Sequence, residues 1–177
     1  MNYQYFQNPH LYSSFEKDKE CSICNNKGAY DHYNGAYCDD CISTGKCDDI
    51  EDGVFNETEI IKDLSGLTKD EWKAKDSIVS KRTPPLQKWQ EWEWPACCTD
   101  YQTYLCELSK EKIGEYAKDL SPINYIKQCL KENMDANDVF EGLREPDKST
   151  DSRDYPMGLY LFECQICNKQ TMKWDAN

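Results

Sequence analysis

The chain has 177 residues and a formal net charge of −12, from 33 Asp and Glu against 21 Lys and Arg. That surplus repels phosphate, because binding to nucleic acid or an anionic membrane depends on Lys and Arg displacing counterions, and no stretch approaches the roughly 20 apolar residues that span a bilayer. Residues 1–20 carry no secretory h-region, so the chain is expected to be cytoplasmic, where its 11 cysteines serve metals better than disulfides.

In chain order, Tyr3, Tyr5, Phe6, Tyr12 and Phe15 form an aromatic lead-in expected to pack on the first cysteine knuckle, with a turn at Asn8-Pro9. That knuckle is Cys21-Ser22-Ile23-Cys24, and after thirteen residues comes Cys38-Asp39-Asp40-Cys41. Two residues between cysteines let a tight turn aim both sulfurs at one ion, and a second such pair completes a tetrahedron. The spacer reads as a hairpin, with strand formers Ala29 to Tyr33, an Asn34-Gly35 turn and a return through Ala36-Tyr37. Cys21, Cys24, Cys38 and Cys41 are therefore expected to hold one structural zinc. Cys47 reads as a small core residue.

From Asp48 to Glu59 there are six acids and no Lys or Arg. The run lacks the spacing of a calcium loop. It reads as a solvated acidic face, or more sharply as a contact surface for a basic partner, with Asp48, Asp49, Glu51 and Asp52 as the candidate residues. Residues 56–80 look helical, broken at Ser65-Gly66 and reopened by a capping box at Thr68 and Glu71. Thr83-Pro84-Pro85 ends that helix. Leu86 to Trp94 holds Trp89, Trp92 and Trp94, which read as core in a short helix. Helices are expected over 110–120 and 122–133, the second with Ser121 as N-cap and Pro122 at N1. Its apolar stripe includes Cys129. The polar, turn-rich stretch from Glu132 to Pro156 reads as a surface loop.

A strand at Leu159 to Glu163, the knuckle Cys164-Gln165-Ile166-Cys167 and a strand from Gln170 to Trp174 close the chain as half a zinc ribbon. One knuckle gives two ligands and needs two more. Cys97 and Cys98 are the best remaining donors, with Cys106 and His32 behind them. Adjacent cysteines rarely share one ion, which leaves open whether both bind. Two four-thiolate zinc ions, each adding a net −2, would take the chain from −12 to −16. The expected fold is α+β: a small zinc-stapled domain with β-hairpin knuckles at both ends and a helical middle. Residues 1–55 form the N-terminal zinc module, and 56–177 form a helical segment plus the half-ribbon, packed with the first part as one unit.

Several stretches together resemble the CbrC-like family, a bacterial family named for a protein linked to colicin tolerance. They are Tyr5-Phe6-Gln7-Asn8-Pro9, the pairs Cys21/Cys24 and Cys38/Cys41-Ile42 with Gly45, Arg82-Thr83-Pro84, Trp89-Gln90, Trp94, Cys97-Cys98-x-Asp100, and Leu161-Phe162-x-Cys164-x-x-Cys167. That family often has His where this chain has Cys97. Both are zinc ligands, so the resemblance implies that Cys97 binds. It also implies protection from bacterial toxins rather than a reaction.

An enzyme is a poor fit to these residues. Only His10 and His32 are available as bases, and there is no His-Glu-x-x-His, no phosphate loop and no nucleophile elbow. The favoured reading is an acidic, zinc-stabilised immunity or tolerance protein that covers the active cleft of a basic toxin, such as a nuclease, by complementary charge. The alternative is a zinc-ribbon nucleic-acid-binding or regulatory protein without catalysis. The acid excess argues against nucleic-acid and membrane partners.

Overall fold

A computed structural model describes residues 3–50, 53–62, 64–130, 134–143 and 157–176. The fold is mixed α+β with small sheets and several helices, as the sequence leads one to expect. By its contacts the chain divides into two compact units. The first takes residues 1–87, 93–103 and 164–167; the second takes 88–92, 104–163 and 168–177. Among the described residues no helix is long and apolar enough to cross a membrane.

In the first unit a four-residue helix α1 (Pro9–Tyr12) precedes a three-stranded antiparallel sheet of β1 (Phe15–Glu20), β2 (Lys27–His32) and β3 (Gly35–Tyr37), and helix α2 (Asp39–Ser43) comes directly after it. His32 pairs with Gly35, so the turn is Tyr33-Asn34, one residue earlier than the Asn34-Gly35 expected from sequence. Gly35 serves a different need. Its φ is +141°, and a Cβ there would meet the Ser22 Oγ at 2.8 Å, where the first knuckle packs against β3. Ser22 and Ala36 exchange hydrogen bonds across that contact. Ala29, Tyr30, Ala36, Tyr37, Ile42, Cys47 and Phe55 form the core here, with Tyr3 and Phe15 packed on it.

Residues 56–62 and 64–66 are not helical. Asn56 is buried, its side-chain nitrogen lies 3.1–3.2 Å from the carbonyl oxygens of Val79, Thr83 and Pro84, and its oxygen accepts from the Leu86 N–H. Thr58 then forms a parallel bridge with Trp94. These non-local hydrogen bonds outweigh the weak local helix propensity. Helix α3 (Lys69–Lys81) does open on the expected capping box of Thr68 and Glu71. The stretch from Leu86 to Trp94 is irregular rather than helical, with bends at Trp89 and Gln90. Trp94 is buried with its indole N–H on the Gln102 carbonyl at 2.8 Å, while Trp89 and Trp92 are half-buried. The short strands β4 (Ala96–Cys97) and β5 (Asp100–Tyr101) form a tight hairpin.

The second unit is built on β6 (Thr103–Glu107), which begins in the first unit, and on β7 (Met157–Glu163) and β8 (Gln170–Ala176), in sheet order β6-β7-β8. Helices α4 (Lys112–Ala117) and α5 (Pro122–Cys129) are shorter than expected, and α5 carries the Ser121 cap. A further helix α6 (Ala136–Gly142), capped by Asp135, lies in a stretch that reads as loop in the sequence. Its Ala136 and Val139 are buried, an apolar spacing too short to stand out among acids. Cys129 and Cys106 are core residues, and the Cys106 thiol lies 3.6 Å from the Tyr116 hydroxyl. Asp175, fully buried, accepts from the Trp89 N–H and from the Tyr160 hydroxyl.

Candidate metal centres

All eight predicted cysteines gather into two groups in the first unit: Cys21, Cys24, Cys38 and Cys41, and Cys97, Cys98, Cys164 and Cys167. Within each group the sulfurs lie within 4.8 Å of one another. Neither reserve donor belongs to either group: the Cys106 thiol lies 3.6 Å from the Tyr116 hydroxyl, and His32 packs edge-on against Phe55 at 5.1 Å.

One local design is used twice. Cys-x-Ile-Cys-Asn occurs at Cys21–Asn25 and again at Cys164–Asn168. Each is a six-residue connection between antiparallel strands, 21–26 from β1 to β2 and 164–169 from β7 to β8. In each, the Asn after the second cysteine takes left-handed backbone, with φ of 60° at Asn25 and 58° at Asn168. Asn tolerates that region better than most residues. At the first knuckle the Asn25 N–H returns to the Cys21 carbonyl at 2.9 Å, closing the turn that points both sulfurs the same way.

The opposing pairs differ. At the first centre Cys38 occupies the position just before α2 and Cys41 sits on the helix's first turn. At the second, Cys97 ends β4 and Cys98 begins the two-residue turn to β5, with φ of 53°. That turn position favours left-handed backbone and is one glycine commonly fills. The left-handed step costs roughly 1–2 kcal/mol for a residue with a Cβ, and it brings two adjacent cysteines to one point.

The sulfur geometry suits a tetrahedral metal. Zinc–sulfur bonds of about 2.3 Å place sulfurs about 3.8 Å apart at the corners of a tetrahedron. The observed separations are 3.6 Å for Cys24–Cys38, 3.6 Å for Cys97–Cys167 and 3.9 Å for Cys97–Cys98. A disulfide would need about 2.05 Å. Electrostatics point the same way. Burial raises the Cys21 thiol, but the backbone N–H groups of Cys24, Cys38 and Ile23 overcome it and bring Cys21 down to about 6. Burial, then the neighbouring sulfurs, push Cys41 far up. At the second centre the Cys167 sulfur and then burial push Cys98 up to about 12. Four such groups cannot ionise together without a cation among them. With all four positions taken by thiolates, each centre is a closed, structural type of zinc site.

The profile of the uncharacterised protein family UPF0167 matches residues 1–176. The chain belongs to that family. No curated protein and no solved structure matches it.

This UPF0167 protein also ties each centre to the chain's start through an aspartate that sequence reading passed over. Asp39, next to Cys38, accepts from the hydroxyls of Tyr3 (2.7 Å) and Tyr30 (2.8 Å) and pairs with the His10 Nε2 at 2.9 Å. Burial alone would raise this carboxyl, and the donors hold it below its ordinary value. Asp100, two residues after Cys98, accepts from the Tyr5 hydroxyl at 2.7 Å and from the Lys75 ammonium at 2.6 Å. Tyr3 and Tyr5, two residues apart, thus reach the two centres separately. The signal was present in Cys38-Asp39 and Cys97-Cys98-x-Asp100, but nothing local says which tyrosines arrive.

Of the acidic candidates, Asp48 is held by Arg82 through both Nε and Nη2, and its carbonyl accepts from Lys81 at 2.8 Å. It clamps the end of α3. Asp49 is exposed. Glu51 and Asp52 lie outside the described residues, as do 132–133 and 144–156 of the stretch expected to be a surface loop.

Proposed function

We propose that this UPF0167 protein is a non-catalytic, zinc-stapled binding protein whose acidic surface engages a basic protein partner. One observation carries the reading: both metal centres are closed by four cysteines in a chain already at −12. A closed thiolate site offers no open position for substrate or activated water, and two of them deepen the negative charge to −16. Such a field speeds encounter with a cationic protein and opposes encounter with nucleic acid. The resemblance to a family tied to colicin tolerance supports a toxin, such as a cationic nuclease, as that partner. Asp49 is a surface contributor in this reading, and Asp48 a structural one.

Native mass spectrometry on the protein purified from its own host at low salt tests this. The expected result is a complex with a basic protein that dissociates as salt rises, and whose association slows in an Asp49→Lys variant. Co-purifying nucleic acid, or a chain that binds no basic protein, would overturn it.

A further inference from the structure

The second metal centre is open to solvent in a way the first is not. Cys21, Cys38 and Cys41 are 1 %, 6 % and 0 % exposed, and Cys24 is half-buried. Cys167 is exposed, and Cys97 and Cys98 are half-buried. The knuckle around Cys167 is bathed in water as well, since Gln165, Asn168 and Lys169 are exposed and Ile166 is 57 % exposed. The Cys97 and Cys167 sulfurs are 3.6 Å apart and come from segments separated by 70 residues, so a bond between them would be a new long-range crosslink.

We propose that this centre is a modification site for small hydroperoxides: peroxide joins Cys97 and Cys167 in a disulfide and the centre gives up its metal, while the first centre keeps its own. The Cys167 thiolate attacks one peroxide oxygen, the O–O bond breaks, and hydroxide leaves, giving a sulfenic acid at Cys167. The Cys97 thiolate then attacks that sulfur, the S–O bond breaks and a second hydroxide leaves. Two thiolates lose two electrons in total, hydrogen peroxide gains them, and two protons from solvent convert the hydroxides to water. The sulfurs close from 3.6 Å to about 2.05 Å. Cys98 and Cys164 alone are two ligands where a structural zinc requires four. At the first centre Cys24 is half-buried, but its neighbour at 3.6 Å, Cys38, is covered by the core along with Cys21 and Cys41, and none of the four stands in solvent as Cys167 does, so peroxide reaches the first centre more slowly. The inference stands apart from the binding reading above, since it concerns only the thiolates and the metal.

The test treats the full-length, zinc-loaded protein with hydrogen peroxide. A chromogenic chelator tracks released metal, and peptide mass spectrometry maps disulfides. The expected result is loss of one of two metal equivalents in step with a Cys97–Cys167 disulfide, reversed by thiol reductant and added zinc. A first disulfide elsewhere, release of both metals together, or no release would overturn it. A Cys97→His variant sharpens the result, because imidazole keeps a fourth ligand yet forms no disulfide. Its second metal should leave severalfold more slowly, and release as fast as in the parent would also overturn the proposal. The disulfide map of the parent decides the matter even where this variant loads metal poorly.

Discussion

At the first centre the Cys-x-Ile-Cys-Asn knuckle faces the opening turn of α2, where Cys41 and Ile42 are wholly covered. At the second, a knuckle of the same pattern faces a two-residue turn, and Cys167 stands in solvent. The local sequence sets the turn and aims the sulfurs in both places. What the chain sets opposite decides whether the metal is part of a core or a crosslink near the surface. Three of the first centre's cysteines, Cys21, Cys38 and Cys41, help fill the sheet's core and Cys24 packs against it; the second centre ties a short hairpin to a distant segment.

The largest effect should come from Cys41→Ser. Structural zinc contributes roughly 10–16 kcal/mol in zinc-finger peptides, as much as the whole stability of a typical domain, about 5–15 kcal/mol. The variant is expected to lose the cooperative melting transition of the first unit by circular dichroism. A native transition in Cys41→Ser would break the comparison at its stronger end. Cys167→Ser should act more mildly: one metal equivalent is lost, the other is kept, and melting stays cooperative at a lower temperature. Loss of both metals would make the centres equivalent.

Much of this was legible because it is local. Cysteine spacing names the knuckles, Thr68 with Glu71 and Ser121 with Pro122 mark helix starts, and strand formers flank the final knuckle. The misreadings have non-local causes. Residues 56–66 look helical in the sequence, yet the buried Asn56 amide and the bridge from Thr58 to Trp94 keep the start of that stretch out of a helix. Asn34-Gly35 looks like the hairpin turn, yet Gly35 is needed where Ser22 approaches. That both Cys97 and Cys98 reach one centre depends on the left-handed backbone at Cys98, which no pattern in the sequence announces. The pairing of Tyr3 with Asp39 and Tyr5 with Asp100 spans 36 and 95 residues and lies beyond any local rule.

Those two tyrosines give a finer comparison. Each donates to a carboxylate beside a metal pair, a bond worth about 1.5–3 kcal/mol when the acceptor is charged. Tyr3→Phe and Tyr5→Phe should each lower the unfolding free energy read from denaturant melts by that order, and both variants should keep two metals. Metal loss in either would show that the aspartate and its donor hold the ligands in place.

The smallest effect concerns the second unit, which folds around no metal cluster among its described residues. Burial raises the Asp175 carboxyl against the donors Trp89, Tyr160 and Trp92. A raised carboxyl favours the fold in its protonated form. Its contribution is therefore full below about pH 4 and declines as pH rises through the raised value. Asp175→Asn is neutral throughout. The advantage of the parent over this variant, read from corrected amide-exchange protection in β7 and β8, should shrink as pH rises. A constant difference would show that the carboxyl has the same pKa folded and unfolded, so that burial does not raise it.

The most direct test of the central claim is zinc X-ray absorption spectroscopy on the purified protein, with metal content measured on the same sample. Two zinc ions per chain, each with four sulfur neighbours at about 2.3 Å, is the predicted result. Fewer than two ions, or nitrogen or oxygen in the ligand shell, would contradict the account of two closed four-cysteine centres.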